Sequence, residues 1–395
     1  MKHKVCVVTG TRADYGLLKE LLLRLKNNSE VELILVVTGS HLSESFGNTQ
    51  DEIIQDGFKS YHSISIPMDD DSKCGMAIAT GEALCRFAEF FSKVDLDLLV
   101  VLGDRYEILS AVIAAGMCGI PVAHISGGDI TEGAIDDSIR HCITKMSQIH
   151  FPGCEQSRLR IIQMGENPNR VFNVGEPGVE NALRMKLLSR EELSDSIGFD
   201  GVLKDYIVVT FHPVTLERNT GIEQTRELIK AMDSILGMNY IVTLANADAG
   251  GRAINDIWIT EGKSRSNWCV VPSLGVKRYL SAMKYSKMVL GNSSSGIIEA
   301  PSMKVPTVNI GDRQKGRMQA DSIINCNPNA DNIVTSIKKA LTDDFKSIMQ
   351  SLVSPFGDGT TSVQMERHLI DFLRESNHSL KKPFYDISFE LKEKF

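Results

Sequence analysis

Short apolar runs rich in β-branched residues alternate with longer amphipathic stretches along most of this chain. Such runs predict buried parallel strands, and apolar residues at every third or fourth position predict helices packed on them. The predicted strands are Lys4–Thr9, Glu32–Thr38, Asp97–Leu102, Pro121–Ile125, Gln148–Phe151, Tyr206–Phe211, Tyr240–Leu244, Trp268–Val271, Lys287–Leu290 and Thr307–Ile310. The predicted helices are Leu17–Lys26, Gly75–Lys93, Ile108–Cys118, Asp136–Ser147, Gly221–Leu236 and Gly275–Tyr285. The alternation predicts an α/β fold.

The length of 395 residues exceeds what one hydrophobic core usually serves, so two domains are expected. The turn-rich segment Asn173-Val-Gly-Glu-Pro-Gly178 marks the hinge. We therefore predict a Rossmann-like, doubly wound domain over residues 1–175 and a second one over 176–360. The final helix, 361–376, is a candidate to pack back on the first domain. Two such domains that face each other would bring their carboxyl strand ends to one central cleft, where ligands bind.

The composition of the chain limits the classes of partner that it is expected to bind. The chain is 42% apolar and 24% charged with a net charge of −7, and it has no basic stripe, which argues against nucleic acid as the main partner. Its eight cysteines show neither C-x-x-C pairs nor zinc spacing, so we predict reduced thiols and no metal site. The apolar run at the amino terminus and the uncharged stretch 111–125 are too short for a signal peptide or a membrane span, which predicts a cytoplasmic protein away from membranes.

The segment Gly291-Asn-Ser-Ser-Ser-Gly-Ile-Ile-Glu-Ala-Pro301 follows a predicted strand and begins a short helix that is expected to end before Pro301. A helix start with asparagine and serine as candidate caps and a close-approach glycine offers N–H groups and partial positive charge to a diphosphate. Glu299, expected in the first turn, would repel phosphate, so it is predicted to accept from a ribose hydroxyl. An ordinary capped helix explains the same residues. Arg313, Lys315 and Arg317 follow a later strand and would balance the charge of a diphosphate.

Two loops after strands of the first half carry further candidates. Gly10-Thr-Arg-Ala-Asp-Tyr-Gly16 lacks both dinucleotide and P-loop spacing, so no nicotinamide cofactor is indicated; Arg12 is either a phosphate ligand or a surface arginine. In Leu102-Gly-Asp-Arg-Tyr-Glu107, Asp104 ends a buried strand, a position that suits a general acid or base and also an N-cap.

The densest polar region runs from His124 to His141 and includes a Gly127-Gly128 turn. It contains Asp136 and Arg140, which are i and i+4 on the predicted helix and would also make a plain salt bridge. His212 and Asn246 each follow a strand in the second half, where a lone polar residue is either structural or part of a ligand site.

Six motifs together resemble the hydrolysing UDP-N-acetylglucosamine 2-epimerases of sialic-acid synthesis. They lie in the expected order between residues 10 and 317: Gly10-Thr-Arg-Ala-Asp-Tyr, Gly103-Asp-Arg-Tyr-Glu, Ile135-Asp-Asp-Ser-Ile-Arg-His, Thr210-Phe-His-Pro-Val-Thr, Gly291-Asn-Ser-Ser-Ser-Gly and Asn309-Ile-Gly-Asp-Arg-Gln. The resemblance implies a GT-B-like fold and conversion of UDP-N-acetylglucosamine and water to N-acetylmannosamine and UDP, without metal or other cofactor. It also implies a homo-oligomer.

Residue roles are carried over from the resemblance. It implies UDP contacts at matching positions, with Arg105, Arg140 and Asn246 close by: Arg12, Ser293, Ser294, Glu299 and Arg313. It implies catalysis by Asp104, Asp136 and His212. One departure stands out, because Ser126 occupies a position where relatives often carry glutamate. Asp129, three residues later, keeps an acid in the same loop and is a reserve acid or base.

Four alternatives remain open at the level of sequence. The same chemistry could act on UDP-2,4-diacetamido-2,4,6-trideoxyglucose, on the way to legionaminic acid. In a non-hydrolysing epimerase, UDP would add back to the intermediate. A GT-B glycosyltransferase would share the UDP site but would not need a carboxylate at C2 of the sugar. A regulator would bind nucleotide sugars and release no UDP.

Overall fold

The computed structural model describes residues 2–43, 50–70, 72–131, 135–213, 220–245, 251–375 and 380–388. The chain divides into two compact units. Unit 1 comprises Met1–Asp129, Ile135–Pro177 and Thr360–Phe395, and unit 2 comprises Ile130–Ala134 and Gly178–Gly359. The long segment of unit 2 begins at Gly178.

Unit 1 alternates strands and helices in chain order. Its strands are β1 (His3–Thr9), β2 (Val31–Thr38), β3 (His62–Ile64), β4 (Leu98–Leu102), β5 (Val122–Ile125) and β6 (Ile149–Phe151). Its helices are α1 (Arg12–Asn27), α2 (Gln50–Gln55), α3 (Lys73–Phe91), α4 (Tyr106–Met117), α5 (Ile135–Met146) and α6 (Glu155–Gln163), joined by the final helix, α15 (Thr361–Arg374).

The sheet of unit 1 is parallel and has the order β3-β2-β1-β4-β5-β6. Successive residues of a strand point to opposite faces, and here both faces are covered. Val5 and Val7 pack in one core with leucines of α1 and α15, whereas Cys6 and Val8 pack in another with residues of α3 and α4. The strands are apolar at consecutive positions because each has two buried faces.

The carboxyl-terminal segment also belongs to unit 1. In α15, Ser362 accepts a hydrogen bond from Nε of Arg24 on α1 at 2.8 Å. Further along, Lys382 Nζ donates to the carbonyls of Lys145 and Ser147, both at 2.7 Å, and lies 2.8 Å from the buried carboxylate of Glu166. Residues 380–388 are therefore held to the unit by the ion pair between the half-buried Lys382 and the buried Glu166.

Unit 2 repeats the same plan. Its strands are β7 (Tyr206–Thr210), β8 (Asn239–Thr243), β9 (Trp268–Val271), β10 (Val289–Gly291), β11 (Thr307–Ile310) and β12 (Ile323–Cys326). The chain enters it through α7 (Pro177–Arg184), and the remaining helices are α8 (Arg190–Ile197), α9 (Thr220–Ser234), α10 (Gly251–Gly262), α11 (Gly275–Tyr285), α12 (Ser294–Ser302), α13 (Ala330–Ala340) and α14 (Asp343–Ser351).

The second sheet is also parallel, in the order β9-β8-β7-β10-β11-β12. Ile207 and Val209 face one core, and Tyr206 and Val208 face the other. In both units the strand order reverses beside the first strand of the unit, between β1 and β4 and between β7 and β10. The loops that leave those strands are the expected ligand positions of a doubly wound sheet.

The structure confirms the predicted fold class of two doubly wound α/β units. It adds two edge strands, β3 and β12, that the apolar pattern missed. β3 has two exposed residues among three, and β12 has only one buried residue among four, so neither forms a continuous buried apolar run. No helix in the described ranges is long and apolar enough to cross a membrane.

Candidate functional site

In unit 1, the loop after β4 places Asp104 beside the point where the strand order reverses. Arg140 of α5, a buried residue, binds the Asp104 carboxylate through Nε at 3.0 Å and through Nη2. The same guanidinium donates from Nη1 to the carbonyl of Asp129 at 2.9 Å and approaches Asp137 at 3.4 Å. One buried arginine therefore fixes the loops after β4 and β5 relative to each other.

His124, on β5, also binds the loop after β4. Its Nε2 lies 2.8 Å from the carbonyl of Gly103, and its Nδ1 lies 3.1 Å from Oγ1 of Thr144. Since a carbonyl only accepts, Nε2 is the donor and the hydroxyl of Thr144 donates to Nδ1. Burial lowers the pKa of His124 to about 3, so the ring is neutral. His124 thus holds the peptide that precedes Asp104.

Asp129 and Asp136 are the other predicted carboxylates of unit 1. Asp129 Oδ1 accepts a hydrogen bond from the Ser157 hydroxyl at 3.0 Å. Asp136 lies in the first turn of α5 and is exposed. Asp104 and Asp129 share Arg140, and Asp136 is one turn before that arginine on the same helix. The structure brings these three acids to one region of unit 1.

Arg12 and Arg105 are each bound to a carboxylate. Arg12, the first residue of α1, donates to Glu52 at 2.9 Å, and Arg105 donates to the fully buried Glu107 at 2.5 Å. Asp14 lies near Arg105, and burial raises the pKa of its carboxyl to about 7. The sequence pattern assigned no role to Asp14 or Glu107, although both lie inside the motifs of the first two loops. Glu107 is fully buried, and Asp14 is half-buried with one carboxylate oxygen inaccessible to solvent, which the motifs do not reveal.

In unit 2, the loops after β7 and β10 meet where the strand order reverses. Gly291, with φ of 135°, ends β10 so close to β7 that a Cβ would lie 2.0 Å from the Thr210 carbonyl. The next side chain, Asn292, accepts from the backbone N–H of His212 at 2.7 Å and donates to its carbonyl at 2.8 Å. The sequence predicted only a possible cap at Asn292, and its spacing gave no sign of this contact with the loop after β7.

The amino terminus of α12 lies directly after this contact. Ser293 is the N-cap, with Oγ 3.4 Å from the N–H of Ser295, and Ser294 begins the helix. Arg313 and Gln314 donate to the carbonyl of Asn292 at 3.1 Å and 2.8 Å. The predicted residues Ser293, Ser294, His212 and Arg313 are therefore neighbours within unit 2.

Two details of the predicted helix are wrong. Glu299 lies in the second turn of α12, because the helix begins at Ser294. The helix also continues through Pro301 to Ser302, since a proline so close to the carboxyl end interrupts few of the helical hydrogen bonds. Glu299 is half-buried, and a Cβ on Gly178 would lie 2.2 Å from its Oε1.

His212 is buried, with 6% of its surface exposed, and its Nδ1 has no hydrogen-bond partner among the described residues. Burial, and then the charge of Arg313, lower its pKa to about 3. The imidazole is therefore neutral at neutral pH. It can donate or accept one hydrogen bond at Nδ1, but it supplies no positive charge.

A set of hydroxyl groups surrounds the start of α12. The phenol of Tyr279 lies 2.6 Å from Ser295 Oγ, which is 3.1 Å from Ser293 Oγ. Tyr279 was absent from the sequence prediction because its helix shows only an ordinary amphipathic pattern. Asn246 lies outside the described residues. Within those residues, no group of three or more His, Cys, Asp or Glu is arranged to hold a metal ion.

Two doubly wound units, each with polar groups where its strand order reverses, define a GT-B-like α/β protein. The chain belongs to the UDP-N-acetylglucosamine 2-epimerase family, whose sequence model matches residues 23–370. It is an enzyme of that family, and the resemblance found in its motifs is confirmed.

Named relatives cover nearly the whole chain. A polysialic acid biosynthesis protein P7 of Escherichia coli is 39% identical over 97% of both chains. A GDP/UDP-N,N'-diacetylbacillosamine 2-epimerase (hydrolyzing) of Campylobacter jejuni is 37% identical over 87% of this chain and 89% of its own. Among solved structures, the UDP-GlcNAc 2-epimerase of Neisseria meningitidis bound to UDP-GlcNAc superposes with a TM-score of 0.78 at 17% identity, covering 93% of this chain and all of that one (100%). The structural likeness supports the fold.

Proposed function

We propose that this chain hydrolyses UDP-N-acetylglucosamine to N-acetylmannosamine and UDP, with inversion at C2. The observation that carries the proposal is the edge of unit 2 formed by His212, Asn292, Arg313 and the start of α12, in a chain of this family. That edge suits the diphosphate of a nucleotide. The solved relative that contains UDP-GlcNAc supports the choice of nucleotide sugar.

The diphosphate is held by charge and by backbone donors. The amino terminus of α12 offers backbone N–H groups to an anion, and the helix dipole adds partial positive charge there. Arg313 supplies the full positive charge that the neutral His212 lacks. His212 contributes a hydrogen bond to the leaving diphosphate or to water. Negative charge grows on the diphosphate as the C1–O bond breaks, so these groups stabilise the transition state.

The carboxylates of unit 1 perform the proton transfers. One takes the proton from C2 while the C1–O bond breaks, so that C1 and C2 form the double bond of 2-acetamidoglucal and UDP leaves with the bonding electrons. Water oxygen then bonds to C1, an acid gives C2 a proton on the opposite face, and the proton of the attacking water returns to a base. We assign Asp104 and Asp136 to this acid–base set, with Asp129 in reserve.

Arg12, Arg105, Arg140, Asn246, Ser294 and Glu299 remain predicted substrate contacts. Arg140 has a defined task in the proposal, because it bonds Asp104 and the carbonyl of Asp129. Arg12 and Arg105 would contact phosphate by exchanging or sharing their present carboxylate partners, Glu52 and Glu107. Glu299 keeps its predicted task of accepting from the ribose.

The deciding experiment is proton NMR of the protein with UDP-N-acetylglucosamine in deuterated water. We expect UDP release and N-acetylmannosamine with deuterium at C2, because solvent supplies the proton in the second step. A sugar transferred to an acceptor, or a product that keeps hydrogen at C2, would contradict the proposal. Binding without any UDP release would favour the regulator.

A second candidate substrate is the diacetamido sugar nucleotide. The relative at 37% identity is named for N,N'-diacetylbacillosamine, and this observation favours the alternative directly. The same NMR experiment with UDP-2,4-diacetamido-2,4,6-trideoxyglucose separates the two, since the preferred substrate has the higher kcat/KM. The mechanism is unchanged in either case.

Location and assembly also remain proposals. All eight cysteines are free, which supports a reducing compartment such as the cytoplasm. The homo-oligomer implied by the motifs is tested by light scattering of the purified chain.

A further inference from the structure

Ser126 ends β5 in a conformation that few side chains adopt. Its φ is 59°, and within the described ranges only Lys304 shares a positive φ among residues other than glycine. The backbone N–H of Ser126 still donates to the Phe151 carbonyl at 2.9 Å, so the residue continues the ladder between β5 and β6. A serine in the left-handed conformation costs about 1 kcal/mol or more of folding free energy relative to glycine. A contact of its side chain would offset that cost.

The Ser126 hydroxyl is bound to a carboxylate distant in the sequence. Its Oγ donates to Oε2 of Glu176 at 2.8 Å, across 50 residues. Glu176 has only 9% of its surface exposed, and its carbonyl accepts from Thr361 Oγ1 at 3.3 Å. The following Pro177 further restricts its backbone.

Gly153 makes room for the Glu176 carboxylate. A Cβ at residue 153 would lie 1.9 Å from Glu176 Oε1. Gly153 comes two residues after β6, which neighbours β5 in the sheet. The carboxylate of Glu176 thus lies beside the residues that follow β5 and β6, and Ser126, which is bonded to it, is partly exposed.

This bond determines what Ser126 can offer. A serine hydroxyl has one hydrogen to donate, and a carboxylate only accepts, so the hydrogen is committed to Glu176. The oxygen of the partly exposed Ser126 then presents lone pairs alone, and the bond to a charged acceptor polarises it. Ser126 can accept a hydrogen bond from a ligand, but it has no donor left to give.

Ser126 is also placed among the proposed catalytic groups. Leu102 pairs with Ile125, and the N–H of Gly103 donates to the Ile125 carbonyl at 3.1 Å, so Ser126 and Asp104 follow adjacent strand ends. Asp129 is three residues further along the same loop.

We propose that Ser126, oriented by Glu176, accepts a hydrogen bond from a hydroxyl or acetamido N–H of the bound sugar, and that this pair contributes to sugar specificity. The inference rests on the proposed function, because it takes the ligand to be a UDP-sugar. Ser126 is the contact residue. Glu176 is a positioning residue, which acts by fixing the direction of the hydroxyl hydrogen.

The test compares the affinities for UDP and for UDP-N-acetylglucosamine by calorimetry. All variants are made in an Asp136→Asn background, so that the sugar nucleotide is consumed slowly. The affinity for UDP-N-acetylglucosamine divided by the affinity for UDP measures how much the sugar contributes to binding. We expect Ser126→Ala, Ser126→Gly and Glu176→Ala each to reduce that ratio about 10-fold, the value of one lost hydrogen bond with a polar ligand, while the affinity for UDP stays unchanged.

Two comparisons separate this role from a structural one. Ser126→Ala combined with Glu176→Ala should reduce the ratio no further than either alone, because one contact is lost in all three. Glu176→Gln should keep most of the affinity ratio of the unaltered residue, since the side-chain amide oxygen of glutamine can still accept the hydrogen bond from Ser126. Ser194→Ala is the matched control, because Ser194 donates to Asp200 at 2.9 Å in unit 2 in an otherwise similar serine–carboxylate bond.

An unchanged ratio in the Ser126 variants would overturn the inference, and so would an equal loss of affinity for UDP and for the sugar nucleotide. A protein for which the sugar adds no affinity would overturn it as well. Turnover of the unaltered protein, followed by NMR, tests the proposed function separately. An enzyme that turns over normally with an unchanged ratio refutes the inference alone, whereas a reduced ratio without turnover supports the inference and refutes the reaction.

Discussion

Asn292 holds the backbone of His212 at two points, accepting from its N–H at 2.7 Å and donating to its carbonyl at 2.8 Å. The two residues are 80 apart in sequence and follow the neighbouring strands β10 and β7. This contact keeps His212, which is proposed to bind the leaving diphosphate or water, beside the start of α12.

Replacement of Asn292 by aspartate should test this contact. The carboxylate can still accept from the His212 N–H, but it cannot donate to the carbonyl, and two oxygens then oppose each other in a buried place. We expect a loss of about 2 kcal/mol in the free energy of unfolding and at least a 10-fold weaker affinity for UDP. Urea unfolding and calorimetry measure the two effects.

Asn267→Asp is the control for that variant. Asn267 donates one hydrogen bond to the Met238 carbonyl at 2.9 Å, and it lies before β9 at the amino edge of the sheet. It should lose stability without losing affinity for UDP. Equal affinity losses in both variants would contradict a local role for Asn292.

Arg140→Met should leave the Asp104 carboxylate and the Asp129 carbonyl without their donor. Because Arg140 is buried and Asp104 is partly exposed, we expect a cost of about 2 to 3 kcal/mol in the free energy of unfolding. Adding Asp104→Asn should recover part of that cost, since no unpaired charge remains. The coupling is read from a double-mutant cycle in urea.

Asp104→Asn alone should reduce kcat by at least about 100-fold while UDP still binds, since general acid–base catalysis contributes this much. A glycosyltransferase would keep its activity in this variant.

Arg265→Met is the control for Arg140→Met. It removes a pair with the exposed Asp233 at 2.7 Å, so it should cost less than about 1 kcal/mol in the free energy of unfolding and leave activity intact.

Acid should destabilise the protein through buried histidines. Burial lowers the pKa of His124 and of His212 to about 3, whereas an unfolded histidine titrates near pH 6.5. The unfolded chain therefore takes up protons first as the pH falls. Their contribution to stability is complete above about pH 6.5 and declines towards pH 3, by up to about 1.4 kcal/mol per pH unit for each histidine.

Urea unfolding at several pH values between about 5 and 7 measures this dependence, and His212→Gln should make it shallower by up to one proton. His62→Gln is the matched replacement, because His62 is exposed and its loss removes no buried imidazole. An identical slope in the parent and in His212→Gln would show that His212 is not held neutral.

Ser293→Ala and Ser189→Ala remove N-caps from two helices of unit 2. Ser293 caps α12 and Ser189 caps α8, each by accepting from a backbone N–H. Each loss should cost about 1 kcal/mol in the free energy of unfolding. Only Ser293→Ala should weaken UDP binding, by about 3- to 10-fold, because the proposed diphosphate site lies at the start of α12 and not at that of α8. Parallel urea and calorimetric titrations decide whether the two effects separate.

The sequence by itself determined the two doubly wound sheets and the strand ends on which polar residues lie. A parallel strand covered on both faces must be apolar at consecutive positions, as in Val5 to Val8, and that pattern is local. It failed at β3 and β12, because edge strands with exposed residues leave no apolar run. The motifs likewise indicated Asp104, His212 and Ser293 from their positions after strands.

Only the tertiary structure decided which of these residues meet. Arg140 binds Asp104 across 36 residues, Ser126 binds Glu176 across 50, and Asn292 binds His212 across 80. Each pair joins loops or helices that follow different strands, so it depends on sheet order and register. Periodicity reports the environment of a single residue and carries no information on which distant residue will share it.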